Sequence, residues 1–94
     1  MSVKINIPSY FQYFTSNNNT VAVAKNSVIG CLRELVEKYP EIKKLLFDSE
    51  GELLYHSLNH IAVFINGNAI RPDEFADQLN DGDEMDLTYV ILGG

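Results

Sequence analysis

The chain has 94 residues, 46% of them hydrophobic, and a formal net charge of −6. That length supports one small domain with one core, and the acidic balance argues against nucleic acid, whose phosphates are bound by lysines and arginines that displace counterions. No stretch approaches the run of about 20 apolar residues that spans a bilayer, and no basic region with an apolar segment behind it opens the chain. The single cysteine, Cys31, has no internal disulfide partner. A cytoplasmic protein with no membrane contact is therefore expected.

Taken in chain order, Val3 to Ile7 (VKINI) alternates apolar and polar residues, the period of a half-buried strand, and Pro8 ends it. Thr15 to Thr20 (TSNNNT) is turn chemistry, since asparagine bonds its own backbone and tolerates left-handed conformations. Thr20 to Ala24 (TVAVA) reads as a second strand, so a hairpin with a long loop is predicted. Tyr10, Phe11, Tyr13 and Phe14 in that loop supply either core or a surface patch.

From Asn26 or Ser27, either of them a good N-cap, the period changes. Val28, Cys31, Leu32, Leu35, Val36 and Tyr39 recur at three- and four-residue steps, the apolar stripe of an amphipathic helix. Gly30 within it implies close packing against a neighbour, and Pro40 halts it. Glu41 to Phe47 adds a short helical turn, and Asp48 to Glu52 (DSEGE) is a turn.

Strands return in the second half. Ile61 to Gly67 (IAVFING) ends in Asn-Gly, the pair most favoured for a tight hairpin turn, and a short partner (AIR) comes next. The segment around DEFADQL makes one or two helical turns, NDGDE is a polar turn, and EMDLTYVIL is a final strand. One helix is thus available to cover one mixed sheet of four or five strands, an α+β architecture.

Charge is unevenly spread. Asp73, Glu74, Asp77, Asp81, Asp83, Glu84 and Asp86 crowd the last quarter, and no lysine or arginine follows Arg71. A partner with a basic docking face fits this pattern; the plainer reading is that the acids keep a small domain soluble.

The residues with chemical potential mostly reduce to structure. Cys31 lies on the apolar stripe with no base to activate it, which makes it a small hydrophobe. His56 and His60 are four apart, a spacing that gathers two metal ligands only on a helix, and their flanks look extended. DGDE is a fragment of a calcium loop without the remainder. There is no phosphate-binding glycine loop and no Ser/His/Asp constellation, so no metal site, no bound cofactor and no catalysis by the domain alone are expected.

The chain closes on YVILGG, Tyr89 to Gly94. A terminal glycine pair is a flexible end, and it also lets an extended tail thread a narrow channel, because glycine allows the closest backbone approach. A carboxylate there has a pKa of about 3.5 and is a poor electrophile until activated. As an acyl adenylate it accepts either an amine, giving a tag, or sulfide, giving a thiocarboxylate. The division expected is a domain over residues 1–92 and a tail of Gly93 and Gly94.

VKINIP, GCLRELVEKYPEI, LNHIAVFINGNAIR and LNDGDEMDLTYVILGG, taken in that order, resemble the ubiquitin-like sulfur carrier proteins over essentially the whole chain. That family includes the molybdopterin synthase small subunit, the thiamine sulfur carrier and the carrier of cysteine synthesis. The resemblance implies a β-grasp fold. It also implies adenylation of Gly94 by an E1-like enzyme that uses ATP, conversion to a thiocarboxylate with sulfur from a donor enzyme or sulfide, and delivery to an acceptor biosynthetic enzyme. Gly93 becomes the slender penultimate residue, while Ile91 and Leu92 stand where the family usually has smaller residues. Ile7-Pro8 and the long segment before Ile61 look more like the cysteine-synthesis carrier. A molybdopterin synthase small subunit, a protein modifier and a non-conjugating interaction domain are the alternatives. Phe64, with the residues beside the tail, is expected to form an apolar docking patch ringed by the C-terminal acids.

Overall fold

The computed structural model describes residues 2–52 and 59–91. Strands β1 (Val3–Asn6), β2 (Thr20–Val23), β3 (Asn59–Ile65), β4 (Asn68–Ile70) and β5 (Glu84–Ile91) form one five-stranded sheet in the order β2-β1-β5-β3-β4. β1 and β5 are parallel and every other neighbouring pair is antiparallel. Helix α1 (Val28–Lys38) supplies Val28, Cys31, Leu32 and Leu35 to the core, and the short α2 (Lys43–Leu46) adds Leu46. The chain therefore has the mixed sheet and main helix of the ubiquitin-like β-grasp fold that its pattern implied.

Alternation does the sorting. Val3, Ile5, Val21, Val23, Val63, Met85 and Leu87 are buried under the helix, while Lys4, Ala22, Glu84 and Thr88 between them are exposed. Ser27, one of the two predicted caps, starts α1 and its hydroxyl accepts from the Gly30 amide at 3.1 Å. A Cβ on Gly30 would meet Ser27 Oγ at 3.0 Å and Lys25 Cβ at 3.1 Å, so the neighbour that demands a glycine is the chain's own entry into the helix.

Three stretches differ from the sequence reading. Ser9–Thr15, expected to be loop, is a 3₁₀ helix. Its aromatics are spaced for three residues per turn: Phe11 and Phe14 turn inward, Tyr10 and Tyr13 outward. The polar run behind it behaves as anticipated, with Ser16 and Asn17 at φ 54 and 63. β3 begins at Asn59, ahead of Ile61, and β4 spans Asn68–Ile70. The two-residue turn explains that register, because Asn66 and Gly67 both take positive φ, 51 and 85, and close Ile65 directly onto Asn68. After Pro72 only a single 3₁₀ turn forms, Pro72–Glu74. The residues after it are instead pinned to the start of α1, with Ile29 N donating to Phe75 O at 3.1 Å and Leu79 N to Asn26 O at 2.7 Å.

Candidate functional site

Strand β5 occupies the centre of the sheet and carries the chain toward its C-terminal glycines. On one side β3 pairs with it along Met85 to Ile91. On the other, β1 pairs only over Glu84 to Asp86, because Pro8, which has no amide hydrogen, comes next and the chain turns into the 3₁₀ helix. Among the described residues, the second edge of Leu87 to Ile91 thus has no strand beside it. Ile91, opposite Asn59, ends the described strand. Leu92, Gly93 and Gly94 lie outside the described residues, as does His56.

Phe64 lies on the face of the sheet turned away from α1. One row crosses all five strands there: Thr20 opposite Asn6, Asn6 beside Asp86, Asp86 opposite Phe64, and Phe64 opposite Ala69. The Asn6 amide donates to Asp86 Oδ1 at 2.6 Å and to Glu84 Oε2 at 3.3 Å. One row nearer the tail, Ala62 faces Thr88. Among the side chains described on that face, half-buried Phe64 is the large apolar one.

Asp81, Asp83 and Glu84 stand where β5 begins, and the strand rises about 23 Å from Glu84 to Ile91. Asp86 alone of the late acids shares a row with Phe64. The reason is the direction of β5: the turn that precedes it carries the charge, and the strand then runs away from that turn.

At that acidic end the carboxylates are engaged. Asp83 accepts from the Asn80 amide at 2.8 Å and from Asn66 Nδ2 at 3.0 Å, and these hydrogen bonds, the backbone one first, hold its carboxyl below the usual range. Glu84 is lowered by the Lys4 ammonium, 3.1 Å from Oε1, and by Asn6. Asp81 accepts from Ser2 N at 2.6 Å.

Cys31 is fully buried, and its thiol donates to Lys25 O at 3.4 Å. Burial first, and the charge of Glu34 second, push its pKa up to about 11, the opposite of an activated nucleophile. His60 lies in β3, where residues four apart do not share a helix face. Among the described residues no group of three His, Cys, Asp or Glu could hold a metal ion, and no helix is long and apolar enough to cross a membrane.

The fold has close relatives among solved structures. The crystal structure of SAMP1 from Haloferax volcanii superposes with a TM-score of 0.81 at 26% identity, covering 100% of both chains. The small archaeal modifier protein 1 of Methanosarcina acetivorans gives a TM-score of 0.79 at 28% identity over 99% of this chain and 96% of that one. A chain of the Amycolatopsis orientalis BexX/CysO complex gives 0.79 at 22% identity over 98% and 99%. No protein-family model and no curated protein sequence matches the chain. The neighbours are small ubiquitin-like carrier and modifier proteins, the group that the sequence resembles, and one of them comes from a complex with a partner.

Proposed function

We propose that the chain is a sulfur carrier whose reactive group is the carboxylate of Gly94. The observation that supports this is positional: in sequence the glycine pair follows, after Leu92, the strand at the centre of the sheet, which is held by β1 at its start and by β3 to Ile91. An E1-like partner joins the Gly94 carboxylate to the α-phosphorus of ATP and releases pyrophosphate. Sulfide then attacks the acyl adenylate, AMP leaves, and a thiocarboxylate remains. Its anionic sulfur serves an acceptor enzyme in biosynthesis, and cysteine formation is the pathway that Ile7-Pro8 and the long segment before β3 favour. The domain contributes a stable body and partner-facing surface, with Phe64 and the residues leading from Ile91 to Gly93 as the docking elements; the catalytic groups belong to its partners.

A second reading has its own support, since two of the neighbours above 25% identity are named small archaeal modifier proteins. In that case a lysine amine replaces sulfide and the adenylate resolves into an isopeptide bond. Mass spectrometry of the intact chain from its own cells, with fragmentation of the C-terminal peptide, tests both. Exchange of one oxygen for sulfur on Gly94 supports the carrier, and Gly94 attached to lysines of other proteins supports the modifier. A carboxylate that stays unmodified after incubation with ATP, sulfide and the E1-like enzyme of the same cells would sink both.

A further inference from the structure

The outer edge of the sheet at β2 is closed by side chains of α1. In the β1–β2 pair Val3 faces Val23 and Ile5 faces Val21, and Ile7 N donates to Asn19 O at 2.9 Å, so the odd-numbered residues of β2 bond β1. Thr20 and Ala22, and the Ala24 amide after them, therefore turn their backbone polar groups outward. Among the described residues no strand lies on that side.

Two helix side chains reach this edge. Lys38 Nζ donates to Ala22 O at 3.0 Å, and Ala24 N donates to Glu34 Oε1 at 2.9 Å. The same two side chains, four residues apart on α1, form an ion pair at 3.7 Å. Next along the helix, the Tyr39 hydroxyl accepts from Asn18 Nδ2 at 3.0 Å and holds the run that leads into β2. Positions 34, 38 and 39 thus meet 24, 22 and 18 in turn, which stitches α1 along the strand in the antiparallel sense.

The strand itself does nothing to blunt its edge. Thr20–Val23 (TVAV) has three β-branched residues, no charge and no proline, although a charge or a proline is what discourages another chain from pairing. Two copies related by a two-fold axis at Ala22 would exchange the N–H and C=O groups of their Ala22 residues, and would set each Ala24 N–H on the Thr20 C=O of the other copy. Ala22 O and Ala24 N are the groups that Lys38 and Glu34 hold. A second copy would have to displace two charge-assisted hydrogen bonds, each about twice as strong as the neutral bond replacing it. It would also strand the Glu34 carboxylate, whose side chain is only 15% exposed.

We propose that Glu34 and Lys38 keep the chain monomeric: they occupy the backbone groups through which β2 would pair with the β2 of a second copy, and without them that edge becomes an isologous dimer interface. This holds whatever becomes of Gly94.

Sedimentation equilibrium of the full chain tests it, beside amide exchange followed by NMR and urea unfolding to confirm that each variant folds. The parent is expected to keep the mass of one chain. Glu34→Ala combined with Lys38→Ala should exchange the Ala24 amide about tenfold faster in dilute solution, and its mass should rise toward that of two chains as concentration increases. Lys38→Met, which keeps the side-chain stem and leaves Glu34 in place, should show a weaker rise. Ala22→Pro removes an outward N–H without touching a bond to β1, so adding it to the double variant should restore the single-chain mass. A folded double variant that stays monomeric overturns the proposal, as does association that survives Ala22→Pro, because the contact then lies elsewhere. Should the double variant lose cooperative unfolding, a monomeric Lys38→Met overturns it. A parent that dimerises, and loses the dimer on Ala22→Pro, overturns it too, since the edge is then open in the native chain.

Discussion

Asn66 and Asp83 join the two turns at the acidic end of the sheet: Asn66 Nδ2 donates to Asp83 Oδ1 at 3.0 Å, while Asn66 Oδ1 accepts from Glu84 N at 2.9 Å. One side chain thus ties the β3–β4 turn to the start of β5, and it does so from a residue at φ 51. Asn66→Gly keeps the backbone conformation and removes both bonds, so a loss of about 1–2 kcal/mol in urea unfolding is expected. Asn66→Ala adds the cost of a left-handed non-glycine residue and should lose about 1 kcal/mol more. Equal losses in the two variants would mean that φ carries no strain there.

The same carboxylates set the acid limb of stability. Asp83 and Glu84 have folded pKa values below their ordinary ones, so the unfolded chain binds protons more readily and their stabilisation is complete above the usual carboxylate range. As pH falls through the lowered folded values that stabilisation is lost. Denaturation midpoints measured from neutral pH downward should therefore decline, and Asp83→Asn should flatten the decline. A parallel curve for the variant would show that other acids dominate.

Cys31 works in the opposite sense. Its folded pKa, raised from 9.0 to about 11, means that the native state keeps its proton where the unfolded thiol has lost it. Its contribution is whole below the unfolded value and is lost as pH rises from about 9 through about 11. Alkylation by iodoacetamide at neutral pH should be negligible in the native protein and rapid in urea. Prompt labelling of the folded chain would contradict the burial.

Phe64 offers a measurable docking contribution on the open face. With Asp86 on one flank and Ala69 on the other, Phe64→Ala leaves the row polar and small. The carrier concentration needed for half-maximal adenylation is expected to rise about tenfold, with unfolding still cooperative. Unchanged adenylation together with unchanged stability would remove Phe64 from the docking surface.

Much of this molecule is legible in its sequence because the informative forces are local. The stripe of Val28, Cys31, Leu32 and Leu35 states a helix, Ser27 caps it, and Asn66-Gly67 states a tight turn through the φ values that only such residues take readily. The alternation of Met85 and Leu87 with Glu84 and Asp86 states which face of β5 is buried. Even the 3₁₀ helix left a trace, the three-residue spacing of Phe11 with Phe14 and Tyr10 with Tyr13, masked by the turn-forming run beside it.

Sequence by itself determined the strands and the main helix, their inner faces and the glycine pair after the last strand. Only the tertiary structure decided that β5 enters between β1 and β3, parallel to the first and antiparallel to the second. Periodicity reports what each segment must bury and says nothing about its neighbour; that is settled when a sheet packs its apolar faces on one shared helix. That single insertion sets Asp81, Asp83 and Glu84 at the start of the central strand, the end opposite Ile91.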